Sequence, residues 1–196
     1  MEQAVQAIRD GRVVVLPTDT VYGLCGDPHS EAAAQEIYRL KRRPGGQPLA
    51  LLAAEAESLL ELVPELPGAV VEALLPGQYT LVLPNPAGRF PWLTGSSPGT
   101  IGVRVPELPA PTQRVLSQVG PVVATSANLH SGPETQSLED VPAEIRAGAG
   151  ALVDGGELPG TPSTVLDLTG PEPRVLREGA VPAEQALDAA RAAFGR

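Results

Sequence analysis

The feature that most constrains this chain is a run of four apolar residues, Val13-Val14-Val15-Leu16, closed at once by Pro17 and a polar turn, Thr18-Asp19-Thr20. Successive side chains of a strand point to opposite faces, so a strand with no polar position is buried on both of them. Leu49 to Leu52 and Val122-Val123-Ala124 are further short apolar strands. Between the strands lie segments with helical spacing: Val5 to Arg9, closed by Gly11, a stretch N-capped by Ser30 that runs to about Arg42, Glu55 to Leu62, and Gly68 to Leu75. Tyr79 to Leu83 and Ile101 to Val105 read as strands, Thr112 to Val119 and Leu138 to Ala147 as helices. Ala151 to Val153, Thr164 to Leu168 and Arg174 to Leu176 read as late strands, and Pro182 to Phe194 as a closing helix with proline at its start. Strands and helices alternate and the strands then cluster, which predicts an α/β fold with a mixed sheet.

The length, 196 residues, predicts one domain over 1–196, long enough to bury a core. The 22 prolines and 21 glycines are spread as punctuation between apolar runs, so they do not imply disorder. The loop from about Pro84 to Gly99 is long and rich in Pro, Gly and Ser, and is expected to be mobile. No apolar run reaches transmembrane length and the first residues have no basic, then apolar, leader pattern, so the expected compartment is cytoplasmic. One cysteine excludes an intrachain disulfide, and with two histidines it leaves no Cys/His metal cluster. Cys25 reads as a small buried residue. The net charge of −9 argues against a general nucleic-acid binder, although a local basic pocket is compatible with it.

Lys41 is the only lysine; the other thirteen of the fourteen basic side chains are arginine. Arginine is a planar fork and lysine a compact point charge, so the two are not interchangeable at a site. Two readings stay open for Lys41-Arg42-Arg43: cations that complement the last turn of a helix before Pro44 stops it, or charges that face a ligand. No Walker A and no G-x-G-x-x-G sequence is present. Polar residues instead sit at strand ends: Thr18-Asp19-Thr20, Thr125-Ser126-Ala127-Asn128 and Ser163. Each could simply make a turn or cap. Arg104, in an otherwise apolar strand, could pair with a carboxylate such as Glu107. Taken together with Lys41, Arg43 and Arg177, they suit a polyanion that carries a polar small molecule, bound at the carboxyl ends of strands.

The order of these segments resembles the YrdC family. The resemblance rests on Pro17-Thr18-Asp19-Thr20-Val21-Tyr22-Gly23-Leu24, Lys41-x-Arg43-Pro44 with Pro48-Leu49, Pro76-Gly77-x-x-Thr80, Val103-Arg104, Thr125-Ser126-Ala127-Asn128, Ser163-Thr164-Val165-x-Asp167 and Leu176-Arg177-x-Gly179, from about residue 13 to 179. It implies a twisted mixed sheet with flanking helices and a large concave site, in the short bacterial form of the family. The implied activity is threonylcarbamoyl-AMP synthesis: L-threonine, bicarbonate and ATP, with Mg²⁺, give threonylcarbamoyl-AMP and pyrophosphate. The product feeds threonylcarbamoyladenosine modification of tRNA, with partner proteins of a threonylcarbamoyl-transferase complex performing the transfer. By the same resemblance Lys41, Arg43, Ser126 and Asn128 are catalytic. Thr20, Arg104, Ala124 and Ser163 bind L-threonine. Lys41, Arg43, Gln47, Thr100, Ser126, Asn128 and Arg177 bind ATP, and no residue is assigned to a protein-held metal.

Three departures from the family pattern stand out: Gln47 where many relatives have Lys or Asn, apolar Leu52 where others have His, and one extra residue in Ser126-Ala127-Asn128-Leu129-His130-Ser131-Gly132. Two rival readings accompany the synthase: an RNA-binding or ribosome-maturation module of the same fold, and a divergent nucleotide-binding paralogue. The acidic net charge makes any binding to long RNA weak.

Overall fold

The computed structural model describes residues 1–194. It contains one mixed sheet of eight strands in the order β1-β2-β6-β3-β5-β4-β7-β8. These are β1 (Val14–Pro17), β2 (Tyr22–Gly26), β3 (Ala50–Leu52), β4 (Tyr79–Pro84), β5 (Thr100–Arg104), β6 (Val122–Ser126), β7 (Thr164–Asp167) and β8 (Arg174–Arg177). Two pairings, β3 with β5 and β4 with β7, are parallel, and the other five are antiparallel. Seven helices accompany them: α1 (Glu2–Arg9), α2 (Glu31–Leu40), α3 (Ala56–Leu62), α4 (Gly68–Leu74), α5 (Ala110–Val119), α6 (Ala143–Gly148) and α7 (Ala183–Phe194).

The period of two in the strands sorts their side chains into two cores. Val13, Val15, Tyr22, Leu24, Leu51 and Val123 join a large core with α2, α3, α4, α6 and α7. Val14, Leu16, Cys25, Leu52, Val122 and Ala124 join a smaller one with α1 and α5. That is why β1 has no polar position. Toward the other end of the sheet only the larger core continues: Leu81, Leu83, Ile101, Val103 and Leu166 belong to it. Their alternating neighbours Thr80, Val82, Thr100, Gly102, Arg104 and Val165 line an open cavity instead.

The α/β class and mixed sheet agree with the sequence reading, and four local expectations change. Residues 17–24 read as a motif after a strand; in fact Thr18 to Val21 is a hairpin turn and β2 begins at Tyr22. Its two glycines, Gly23 and Gly26, hid this strand, since glycine is depleted in strands. Ala151 to Val153 does not form a strand; it contributes a single parallel bridge from Leu152 to Val15. The helix expected from Leu138 starts at Ala143, because Pro142 holds the preceding residue out of helical conformation. The loop expected to be mobile is packed: Phe90 and Leu93 enter the larger core, Leu49 N–H donates to Leu93 O at 2.8 Å, and Asn85 exchanges two side-chain hydrogen bonds with the Arg89 backbone. Where the loop meets the 44–48 turn, Gly95 (φ 56°) has no room for a Cβ beside the Gly46 carbonyl.

Candidate functional site

The uncovered face of the sheet floors a cavity of about 520 Å³. Five of its lining residues carry charge: Lys41, Arg43, Arg104, Arg177 and a single carboxylate, Glu134. In a chain of net charge −9 this concentration of cations is local. Glycine at 23 and 102 keeps the floor low; a Cβ on Gly102 would stand 3.3 Å from that of Ala50.

At one end, the β1–β2 hairpin presents Thr18, Asp19 and Thr20. Thr18 Oγ1 donates to Val21 O at 2.6 Å and accepts from the Thr20 N–H, so the turn reading is correct locally and the turn also borders the cavity. Thr20 is itself fully buried. Arg104 does not pair with Glu107. Its guanidinium reaches back 2.8 Å to Asp19 Oδ1, with both side chains largely buried. Burial lowers the Arg104 pKa, opposed by the Asp19 carboxylate beside it. Asp19 Oδ2 and Arg104 Nε are buried without a partner, so the pair retains capacity for one acceptor and one donor. A buried pair of this kind does not stabilise a fold strongly, and it is better suited to hold a side chain in position.

At another end, β4, β7 and β8 bring Thr80, Ser163 and Arg177 together. Thr80 Oγ1 and Ser163 Oγ are 2.8 Å apart, and Arg177 Nη2 donates to Ser163 O at 2.8 Å. Between the two ends, Arg43 follows the end of α2. It donates through Nε to Gln47 Oε1 (2.8 Å), through Nη1 to Thr125 Oγ1 (3.2 Å) and through Nη2 to Pro48 O (2.9 Å). Burial lowers its pKa, and Arg177 adds like-charge repulsion. Gln47 in turn lies 3.5 Å from His130, the residue in the stretched loop. Thr100 and Ala124 line the same cavity.

Lys41 is the C-cap of α2, as the helix-end reading required, but it is not at the surface: only 3% of it is exposed. Its ammonium donates to Ser126 O (2.5 Å), Asn128 O (2.7 Å) and Asn128 Oδ1 (2.9 Å). Desolvation lowers its pKa from 10.5 to about 8, with Arg43 adding to the fall and Glu134 opposing it. Ser126 Oγ donates to Asn128 Oδ1 at 2.6 Å, and Asn128 Nδ2 donates to Gly132 O at 2.8 Å.

All eleven residues predicted for the site therefore border one cavity. Sequence reasoning left out Asp19 as the partner of Arg104, Thr80, Thr125, His130 and Glu134. Thr80, Asp19 and Thr125 lay inside motifs already noticed, and His130 inside the stretched loop. Nothing in the sequence marked Glu134, whose place depends on the path of the loop after Asn128. Leu52, the apolar departure, is a fully buried member of the smaller core. Cys25 is buried and its thiol is pushed up to about 12, so it is no nucleophile. Among the described residues no group of three or more His, Cys, Asp or Glu could hold a metal ion, and no helix is long and apolar enough to cross a membrane. Glu134, whose Oε2 is buried without a hydrogen-bond partner, fits contact with a Mg²⁺ ion carried mainly by phosphate oxygens, not a protein cage.

Comparison with known proteins gives a family. The Sua5_yciO_yrdC family model, described as telomere recombination, matches residues 6–179. A threonylcarbamoyl-AMP synthase of Pyrococcus abyssi is 35% identical over 182 residues, 91% of this chain and 53% of that protein, so the chain spans about half of its length. A threonylcarbamoyl-AMP synthase of Escherichia coli O6:H1 is 36% identical over 175 residues, 85% of this chain and 90% of that protein. The crystal structure of P. abyssi Sua5 complexed with L-threonine superposes with a TM-score of 0.81 at 32% identity, covering 95% of this chain and 56% of the other.

Proposed function

On the premise that this chain belongs to the Sua5/YciO/YrdC family, we propose that it is a threonylcarbamoyl-AMP synthase acting on L-threonine, bicarbonate and ATP. The observation that carries this reading is the convergence of four cations on one cavity, one of them held against Asp19 beside the hairpin. A nucleotide triphosphate and an amino-acid carboxylate both need such charge, and the P. abyssi structure holds L-threonine.

The reaction has two balanced steps. The threonine amine adds to bicarbonate, giving a carbamate and water. A carbamate oxygen then attacks the α-phosphorus of ATP, the bond to the β-phosphate oxygen breaks, and pyrophosphate leaves. In the second step negative charge builds on phosphate oxygens, so preorganised donors are what this chemistry needs. Arg104, steadied by Asp19, faces the amino-acid carboxylate, with Thr20, Ala124 and Ser163 around the same substrate. Arg43, Ser126 and Asn128 form the phosphate end, with Lys41 bonded to the Ser126–Asn128 segment. Thr100, Gln47 and Arg177 complete the nucleotide site. Mg²⁺, if bound with the triphosphate, would supply further charge neutralisation, and Glu134, a lining carboxylate with an unpartnered buried oxygen, would be the residue to hold it. The setting is cytoplasmic, and the product passes to the transferase proteins that modify tRNA.

The test is direct. Incubation with ATP, Mg²⁺, bicarbonate and labelled L-threonine yields the acyl-adenylate, with pyrophosphate release that requires both threonine and bicarbonate. Absence of product beside a working control enzyme rejects the synthase. Sub-micromolar binding of long RNA at physiological salt, with a steep salt dependence, would favour the RNA-binding module instead.

A further inference from the structure

An ammonium has three N–H donors and no more. In this structure those of Lys41 meet three protein acceptors: the carbonyls of Ser126 and Asn128 and the side-chain oxygen of Asn128. The other end of the residue is bonded to the same loop, since Lys41 O accepts from the His130 N–H at 2.9 Å. A triphosphate would have to displace one of these acceptors to reach the ammonium, and a displaced buried carbonyl is costly.

We infer that Lys41 is a positioning residue: it clamps the Ser126–Asn128 segment from beneath and so shapes the phosphate end of the cavity, while Arg43 is the cation that meets the phosphates. This inference rests on the synthase reading for the identity of the ligand, though not for the clamp itself. Two features of the loop follow from it. The peptide unit is planar and trans, so fixing the Asn128 carbonyl on Lys41 points the Leu129 N–H the opposite way. Leu129 lines the cavity. A backbone N–H held in this manner is a ready donor to an anion. Second, Asn128 Oδ1 accepts from both Lys41 and Ser126 Oγ, so the clamp also orients that hydroxyl.

The same geometry accounts for the lone lysine. Three acceptors converge on one point in a buried space, which a compact ammonium fills. Guanidinium donors diverge in a plane, so arginine cannot meet all three. Arg43 has the complementary arrangement: each of its three nitrogens already donates to a protein oxygen, and Nη1 and Nη2 each keep a second N–H for the cavity.

Because Lys41 is the only lysine, its ζ-ammonium gives the only lysine ammonium signal in ¹⁵N-labelled protein. In the ligand-free protein at neutral pH that signal is expected to be visible, protected from solvent exchange, and nearly unmoved when ATP is added to saturation, while the Arg43 side-chain signals shift. An ammonium signal lost to exchange without ATP, or one that shifts strongly on ATP binding, overturns the inference. A binding cycle gives an independent answer. Lys41→Met and Asn128→Ala are each expected to weaken ATP binding by about tenfold, and the double variant by no more than either alone, because both remove one unit. Losses that multiply to about a hundredfold would mark two separate phosphate contacts and overturn it. If ATP does not bind the wild-type protein, the synthase reading fails, and the ligand-free ammonium signal still decides the clamp.

Discussion

The two halves of the sheet use their second face in opposite ways. In β1 and β2 every residue is buried, since helices cover both faces. In β4 and β5 burial alternates along the strand, and the residues off the larger core look into the cavity. The first half is a packed scaffold, and the second is a half-covered sheet whose open face floors the cavity. The hairpin turn and the β6 end, with Asp19 and Ser126–Asn128, lie where the two meet. In the proposed site the donors stand on strands as well as loops, which keeps them at fixed distances.

Substitutions should separate the halves by what they damage. Leu24→Ala in β2 is expected to destabilise by about 2–5 kcal/mol, because a fully buried leucine leaves a cavity. Val82→Ala on the open face of β4 should cost under about 1 kcal/mol. Urea unfolding measures both, and equal losses would break the distinction. Arg43→Ala should reverse the pattern, lowering threonylcarbamoyl-AMP formation by about 10²–10³-fold with little change in unfolding midpoint. Loss of stability in proportion to loss of rate would make Arg43 part of the scaffold.

Smaller effects probe the junction. Asp19→Asn keeps the shape and removes the charge beside Arg104, so KM for L-threonine should rise by about tenfold with kcat changed less. An unchanged KM would leave the pair as structure only. The smallest effect is that of pH. Lys41 loses its proton near pH 8, and with it the charge that holds the two carbonyls. ATP affinity should fall severalfold as pH rises through about 8. Stability moves the other way: the folded value lies below the ordinary 10.5, so from about pH 8 to 10.5 the unfolded chain binds the extra proton and this group makes folding more favourable as pH rises. Binding and thermal midpoint measured across that interval should therefore diverge, and a joint fall would point to general alkaline unfolding.

Much of this was legible in the chain. The unbroken apolar run at 13–16 required cover on both faces, because side-chain direction along a strand is local geometry. Residues 79–83 and 101–105 were legible only as strands: Val82 is as apolar as its neighbours, so the open face of β4 showed only in the structure. Ser30 as an N-cap is likewise a local matter, and its Oγ accepts from the Ala33 N–H. The eleven proposed site residues were named from motif order, and the fold gathered them around one cavity. What the chain could not express was partnership over long separations. Arg104 beside Asp19, Thr80 beside Ser163 and Lys41 beneath Asn128 join residues more than eighty positions apart. Lys41 shows the limit most plainly. Its sequence neighbours left it either a cation at a helix end or a charge facing a ligand, and local pattern is blind to whatever packs against that end. Burial and hydrogen-bond partners arise only when β6 is laid between β2 and β3, so the role of the one lysine was decided by the tertiary structure.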